Sequence, residues 1–155
     1  MVEMSHGEVE RMLTDTAIGR LAMASPDGHP YAIPLPFCWA DGSLYLRLSL
    51  TGRKGTILAH NDRVCFEIDN CSPTLDDYAS VLIEGRLVLV IDLGEKAYVK
   101  TMNDTKYERL RSGYRPGHGR SISLQQLPLR KIVVEQLSGR KKESTPLAET
   151  LTGGR

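Results

Sequence analysis

The strongest constraint on the fold is a series of short runs in which apolar and polar residues alternate, each bounded by turn-forming residues. The clearest run is SLYLRLSL at residues 43–50, which follows an Asp-Gly pair typical of a tight hairpin turn. Alternation with a period of two places successive side chains on opposite faces of a strand. The sequence predicts six strands, over residues 18–25, 31–40, 43–50, 63–69, 78–92 and 130–137.

Proline and glycine residues predict where this sheet is irregular. Pro34 and Pro36 lie in the second strand, YAIPLPFCWA, and neither has a backbone N–H to donate to a neighbouring strand. That strand must therefore lie at an edge of the sheet or contain a bulge. Gly85 interrupts the long, β-branched fifth strand and predicts a bend there.

Three short segments have helical features. Ser5 followed by Glu8 forms a capping-box pattern ahead of apolar residues at helical spacing. Residues 54–60 fit one or two helical turns, and residues 93–104 fit another helix. Short strands in hairpin-like succession with two or three short helices favour a mainly β, antiparallel, closed or partly closed barrel over an α/β layer structure.

Length and charge limit the class of protein. The 155 residues fit one domain, which we assign to residues 1–140, and the Thr/Gly/Lys-rich residues 141–155 are predicted to be a disordered tail. A formal net charge of +1 argues against a broad nucleic-acid interface. No apolar run approaches the roughly 20 residues that span a bilayer, and the N-terminus lacks the apolar core of a signal peptide. We therefore expect a soluble, cytoplasmic protein that binds neither nucleic acid nor membrane.

Cysteine and histidine residues do not predict a metal site. The three cysteines and four histidines show no zinc-ligand spacing. Cys38 and Cys65 lie in apolar runs, where buried, reduced thiols are expected.

A basic cluster, Gly52-Arg53-Lys54-Gly55, lies between a predicted strand and a predicted helix. The glycines allow close approach of the backbone to a ligand, Arg53 offers a bidentate fork, and Lys54 adds a point charge. The cluster fits one phosphate group, but a solvated basic turn has the same composition. The sequence alone leaves both interpretations open, and it contains neither a Walker motif nor a dinucleotide-binding fingerprint.

The order and spacing of several segments resemble the FMN-binding split-barrel superfamily of pyridoxamine 5'-phosphate oxidases, in the branch related to nitroimidazole-resistance (Nim) proteins. The resemblance covers residues from about 8 to 140 and includes IGRLAMASPDGHPYAIPLPF and SVLIEGR. It also includes a segment similar to the family's phosphate-binding segment, with Arg53, Lys54, Gly55, Leu58, Asn61, Arg63 and Val64 at the matching positions.

The resemblance implies a six-stranded antiparallel Greek-key split barrel that forms a homodimer, with FMN in a cleft between the subunits. It implies that Arg53 and Lys54, which follow Gly52, hold the FMN phosphate. The other implied cofactor-binding positions are Ile33, Pro34 and Leu35 beside the isoalloxazine ring, Arg47, Leu48 and Ser49 beside the phosphate and ribityl chain, and Ser80 as a polar contact.

The sequence departs from the family's pattern in two places. Pyridoxamine-phosphate oxidases carry a C-terminal Arg-x-His motif preceded by Trp, whereas residues 129–143 here read LRKIVVEQLSGRKKE. We therefore expect no oxidation of pyridoxamine phosphate. Nim proteins often carry a histidine in the strand before the phosphate segment, where this chain has LYLRLSL.

Two classes of function remain open. The first is an FMN-dependent oxidoreductase, in which the flavin performs the redox chemistry on a small molecule. The second is a non-catalytic module that binds flavin or haem, and a deazaflavin-dependent reductase is a related variant. The sequence identifies neither a catalytic residue nor a substrate. The glycine-rich segment at residues 112–121 is either a flexible loop or a cover over the cofactor or substrate.

Overall fold

A computed structural model describes residues 1–116 and 122–143. Within these ranges the chain forms eight β-strands, three α-helices and one short 3-10 helix. In chain order the elements are β1 (Val2–Glu3), α1 (His6–Asp15), β2 (Ile18–Ala24), β3 (Pro30–Pro36), β4 (Cys38–Ala40), β5 (Ser43–Arg47), α2 (Gly52–Leu58), β6 (Arg63–Cys71), β7 (Tyr78–Leu89), α3 (Leu93–Leu110), the 3-10 helix (Leu124–Gln126) and β8 (Leu129–Lys142).

The strands form one antiparallel sheet in the order β3-β2-β6-β7-β8-β5-β4, with β1 added beside β8. The strands at the two ends of this order, β3 and β4, are consecutive in the chain and are joined by Phe37 alone. The sheet must therefore curl until its two ends approach each other, which gives a split barrel. The predicted fold class is confirmed, although the strand count of six was too low.

The additional strands have local causes. The predicted strand over residues 31–40 is divided at Phe37, where the chain leaves one end of the sheet and enters the other. The two-residue strand β1 pairs with Arg140 and Lys141 and has no sequence signal of its own. β8 also continues through Lys142, two residues into the segment predicted to be a disordered tail, and residues 144–155 lie outside the described residues.

The irregular positions follow the sequence. The proline-containing β3 pairs with β2 only, so it is an edge strand as predicted. At Gly85 the pairing of β7 with β8 shifts: Glu84 lies opposite Gln136, whereas Gly85 lies opposite Val134. A Cβ atom at residue 85 would lie 2.0 Å from the Val133 carbonyl oxygen, so this close approach requires glycine.

The predicted helices are present, with different lengths. Ser5 caps α1 through both hydrogen bonds of a capping box with Glu8. α2 begins at Gly52, two residues before the predicted start. α3 begins as predicted and extends to Leu110, because the residues after the predicted end contain no helix breaker.

Two apolar clusters hold the domain together. The larger fills the barrel and includes Leu13, Leu21, Leu44, Phe66, Ile83 and Ile132. The smaller lies on the opposite face of β4 and β5, where Cys38, Ala40 and Tyr45 pack with Val99 of α3 and with Leu127 and Leu129. α3 is thus attached to the outside of the barrel, and this attachment creates the cavity described below.

Within residues 1–116 and 122–143, no helix combines the length and the apolar character needed to cross a membrane.

Candidate functional site

A cavity of about 480 Å³ lies between α3 and the strands β3 to β5. Its volume is in the range of small-molecule sites. Its apolar lining consists of Ala17, Ile18, Pro36, Phe37, Val99, Leu127 and Leu129. Its polar lining consists of Cys38, Tyr45, Arg47, Lys100, Asn103, Tyr107, Arg111 and Tyr114.

Tyr107 fixes the inner wall of the cavity. Its hydroxyl oxygen accepts a hydrogen bond from the Phe37 N–H at 2.9 Å and lies 2.6 Å from the Ala17 carbonyl oxygen, to which it donates. The neighbouring Lys106 donates to the carbonyl oxygens of Leu13 and Phe37 at 3.3 and 3.0 Å. These bonds join α3 to α1 and to the junction between β3 and β4. Burial raises the pKa of Tyr107 to about 12 and lowers that of Lys106 to about 8, so the Tyr107 hydroxyl keeps its proton at neutral pH.

Tyr114 forms part of the cavity wall beyond the end of α3. Its hydroxyl donates to the Asp104 carboxylate at 3.0 Å, and Asp104 also pairs with Lys100 at 3.0 Å. The rings of Tyr107 and Tyr114 are 5.6 Å apart. The glycine-rich segment at residues 112–121, left open as a flexible loop or a cover, contributes Tyr114 to the cavity, while residues 117–121 lie outside the described residues.

On the β5 side, a hydrogen-bonded ion pair holds Tyr45. Its hydroxyl donates to the Glu95 carboxylate at 2.7 Å, and the Lys131 ammonium lies 2.7 Å from the same oxygen. The hydrogen bond from Lys131 lowers the pKa of Glu95, while burial raises the pKa of Tyr45. The Tyr45 hydroxyl is therefore engaged and protonated at neutral pH.

The basic cluster lies at the start of α2, beside β3. The Arg53 guanidinium lies 4.6 Å from the centre of the Tyr31 ring, a cation–π contact that directs it toward β3. Neither Arg53 nor Lys54 forms an ion pair or a side-chain hydrogen bond with another described residue. Gly52 has a φ of +65°, which favours glycine. A Cβ atom at Gly55 would lie 2.6 Å from the Leu50 backbone, so glycine lets the helix pack directly on the preceding loop.

The three predicted positions at the end of β5 have different surroundings. Arg47 is exposed, lines the cavity, and forms no ion pair or side-chain hydrogen bond within the described part of the chain. Ser49 is also exposed. Leu48 is only 2% exposed and packs in the barrel core. Its N–H donates to the Pro128 carbonyl at 2.8 Å, and its own carbonyl accepts from Arg130. The Leu48 side chain is therefore unavailable to a cofactor, and both of its backbone groups already have partners.

The predicted positions on β3 face two directions. Ile33 and Leu35 pack against the barrel core, so only their backbone groups could meet a ligand. Pro34 is exposed on the outer face, and Pro36 on the same face lines the cavity. β3 pairs with a strand on one side only, so its other edge has no strand partner among the described residues.

Ser80 lies apart from the other predicted positions. It is on β7, opposite Asp69 and Arg140, and β7 is three strands from β3 in the sheet order. Three strand spacings correspond to about 14 Å. Within a single copy, Arg47 and Pro34 lie on the outer face of the sheet, whereas Arg53 contacts Tyr31, which packs with Ile33 and Leu35 against the barrel core. Ser80 lies apart from all of them.

Sequence analysis missed most of the α3 side of the cavity. Lys100, Asn103, Tyr107 and Arg111 recur every three or four residues, so they share one face of the helix up to its C-terminal end. This spacing of polar and aromatic residues is visible in the sequence. It does not reveal which surface the helix packs against, so the signal alone could not identify a cavity.

The described residues contain no group of three or more His, Cys, Asp or Glu side chains placed to hold a metal ion. Cys38 is buried as predicted, and burial raises the pKa of its thiol to about 11. Cys65 is only half-buried, because it lies on the outer face of β6.

Comparison with solved structures identifies relatives with the same fold. A proposed 5-nitroimidazole antibiotic resistance protein from Bacteroides thetaiotaomicron superposes with a TM-score of 0.69 at 19% identity, covering 90% of this chain and 86% of that one. A FAD-binding protein from Mesorhizobium loti gives 0.65 at 26% identity, covering 92% and 98%. A heme-binding protein from Mycobacterium smegmatis gives 0.65 at 20% identity, covering 94% of this chain and 57% of that one.

No curated protein matches the chain in sequence. The sequence model described as pyridoxamine 5'-phosphate oxidase, in contrast, matches residues 5–141, which include every strand from β2 to β7 and nearly all of β8. The resemblance seen in the sequence is thereby confirmed: the chain belongs to the pyridoxamine 5'-phosphate oxidase family.

Proposed function

We propose that this protein is a homodimeric FMN-binding oxidoreductase whose phosphate site is formed by Arg53 and Lys54. The observation that carries the proposal is the position of the Arg53 guanidinium, held over the Tyr31 ring of β3 without an anionic partner among the described residues. An arginine fork that has no internal anion can pair bidentately with a phosphate.

The surroundings of the basic cluster fit a phosphate group. The backbone N–H groups of Gly52, Arg53 and Lys54 donate to no described residue, so they remain available together with the two side chains. Gly52 is exposed, and nothing would lie within 4 Å of a Cβ atom there. A phosphate can therefore approach the backbone closely at this point.

The separation of Ser80 from the other positions supports a dimeric site. Because β7 is three strands from β3, Ser80 could contact the same cofactor only if a second copy supplied it. The outer sheet face offers a surface for that copy, with Ile18, Ala32, Pro34 and Leu82 exposed. A stable dimer of this kind would bury roughly 2,000 Å² or more.

A flavin in this position would supply the redox chemistry, because its ring system accepts and returns electrons reversibly. The chain's own contribution is to hold the phosphate and to orient the ring against β3. The Mesorhizobium protein with 26% identity, which binds FAD, supports a flavin.

The cavity itself offers no free axial ligand for haem. Haem iron takes His, Cys, Met or Tyr as an axial ligand. No histidine or methionine lines the cavity among the described residues, Cys38 is held protonated by burial, and the hydroxyls of Tyr45, Tyr107 and Tyr114 already have partners.

The test is to change Arg53 and Lys54 to alanine together and to titrate the variant with FMN and with riboflavin. Charge-assisted hydrogen bonds contribute about 1.5–3 kcal/mol each, so loss of both should weaken FMN binding by roughly a hundred- to ten-thousand-fold. Riboflavin lacks the phosphate, so its weaker affinity should be nearly unchanged.

A matched control removes two cations elsewhere. Arg11 and Arg109 lie on α1 and at the end of α3, away from the basic cluster. Their double alanine variant should keep the FMN affinity of the wild type. If the Arg53/Lys54 variant also keeps it, the cluster is only a solvated turn and the proposed phosphate site is wrong.

A further inference from the structure

The cavity beside α3 has a charge pattern that the proposed cofactor does not account for. Its charged lining residues, Arg47, Lys100 and Arg111, are all cationic, and no carboxylate lines it among the described residues. Lys100 is already neutralised by Asp104 at 3.0 Å. Arg47 and Arg111 form no ion pair or side-chain hydrogen bond with any residue that the structure describes.

The tyrosine hydroxyl groups of the lining already have hydrogen-bond acceptors, so they supply no negative charge to these arginines. Tyr45 donates to Glu95, Tyr107 to the Ala17 carbonyl and Tyr114 to Asp104. Burial raises the pKa of both Tyr107 and Tyr114. The positive charge of Arg111 partly opposes this rise at Tyr107, and the charge of Arg47 partly opposes it at Tyr114. The two guanidinium groups thus lie near tyrosines of the lining and have no anionic partner among the described residues.

The rest of the lining is largely apolar. It includes Ile18, Phe37, Val99, Leu127 and Leu129, whose side chains offer contact area but no hydrogen bonds. A ligand that matches this lining combines an apolar ring or chain with a negative charge. If Arg47 serves the cofactor phosphate and ribityl chain, one free guanidinium, that of Arg111, remains for a single negative charge.

We propose that the cavity is the substrate site and that it binds a small monocarboxylate with an apolar body, whose carboxylate pairs with Arg111. As a substrate site it rests on the proposed flavin function, since the cavity shares Arg47 and Pro36 with the region where the flavin would lie. As an anion site it depends only on the lining residues.

The test uses benzoate as the probe and benzamide as its neutral counterpart, each titrated calorimetrically into the full-length protein before and after loading with FMN. We expect saturable benzoate binding in both forms, with benzamide weaker by about tenfold or more, because a charge-assisted bond is lost. Arg111→Gln should weaken benzoate by about ten- to a hundredfold and leave FMN affinity unchanged. Arg109→Gln, two residues earlier and paired with Asp15, is the matched control and should bind benzoate normally.

Several results would overturn the inference. Equal affinities for benzoate and benzamide would show that the cavity does not select an anion. Competition between benzoate and FMN would assign the cavity to the cofactor instead. Phenyl phosphate binding more tightly than benzoate would contradict the choice of a monocarboxylate. If benzoate binds as expected but FMN does not, the anion site is supported and the proposed flavin function is wrong. If FMN binds but benzoate does not, the flavin function is supported and the anion site is wrong.

Discussion

Replacing Tyr107 by phenylalanine removes one oxygen atom from the place where α3 is attached to the barrel. Tyr107 is only 5% exposed, and Phe37, whose N–H it accepts, is 1% exposed. The Phe37 N–H is therefore shielded from bulk solvent. The change leaves the Phe37 N–H without its partner and removes the donor to the Ala17 carbonyl.

The magnitude follows from these two losses. A buried donor without a partner costs about 1–3 kcal/mol, and the lost bond to Ala17 adds about 0.5–1.5 kcal/mol. We expect Tyr107→Phe to lower the free energy of unfolding by about 1.5–4.5 kcal/mol. Urea denaturation, followed by circular dichroism at one fixed protein concentration without added ligand, measures this difference.

Tyr98→Phe is the matched control, since Tyr98 lies on the same helix and is 47% exposed. Its removal of a hydroxyl should change stability by no more than about 0.5 kcal/mol. If Tyr107→Phe is no more destabilising than this control, the hydroxyl does not secure α3 and the account of the cavity wall is wrong.

Three further predictions concern packing, titration and specificity. Gly55→Ala should destabilise the protein by about 1–3 kcal/mol despite the better helix propensity of alanine, because the new Cβ atom meets the Leu50 backbone. Gly7→Ala is the control, since nothing lies within 4 Å of a Cβ atom there, and it should be neutral or slightly stabilising. Thermal melts measure both variants. Burial lowers the pKa of Lys106 to about 8 from 10.5, so the unfolded chain binds more protons between these values and stability should rise with pH there. From pH 8 to 10 the wild type should gain on the order of 2 kcal/mol relative to Lys106→Met, and parallel pH profiles would contradict this. Pyridoxamine phosphate should yield no hydrogen peroxide at ordinary enzyme rates, and steady peroxide production in an oxidase assay would refute the argument from the missing C-terminal motif.

The sheet could be predicted from the sequence because its signals are local. The period-two alternation of residues 43–50 needs no knowledge of the rest of the chain, and Pro34 can be accommodated only at an edge or a bulge. The break at Phe37 was missed because the residues on both sides are apolar and extended, so the change of sheet end leaves no mark in the pattern. β1 was missed because two residues are too few to show any period.

The cavity could not be predicted, because its walls come from segments far apart in the chain. Tyr107 meets Phe37 across 70 residues and Ala17 across 90. The residue types on α3 show that these side chains share one face of the helix, but they do not show which surface that face packs against. The basic cluster could be recognised from the sequence because its residues are adjacent in the chain. The separation of Ser80 from Arg53, in contrast, is seen only once the strand order is known.

The central claim is that two copies of the chain together form sites for FMN. Native mass spectrometry of the protein after incubation with excess FMN and buffer exchange tests it most directly, because the mass reports subunit number, cofactor identity and stoichiometry together. We expect a dimer that retains two FMN molecules. A monomer that retains FMN, or a protein that takes up no flavin, would contradict the claim.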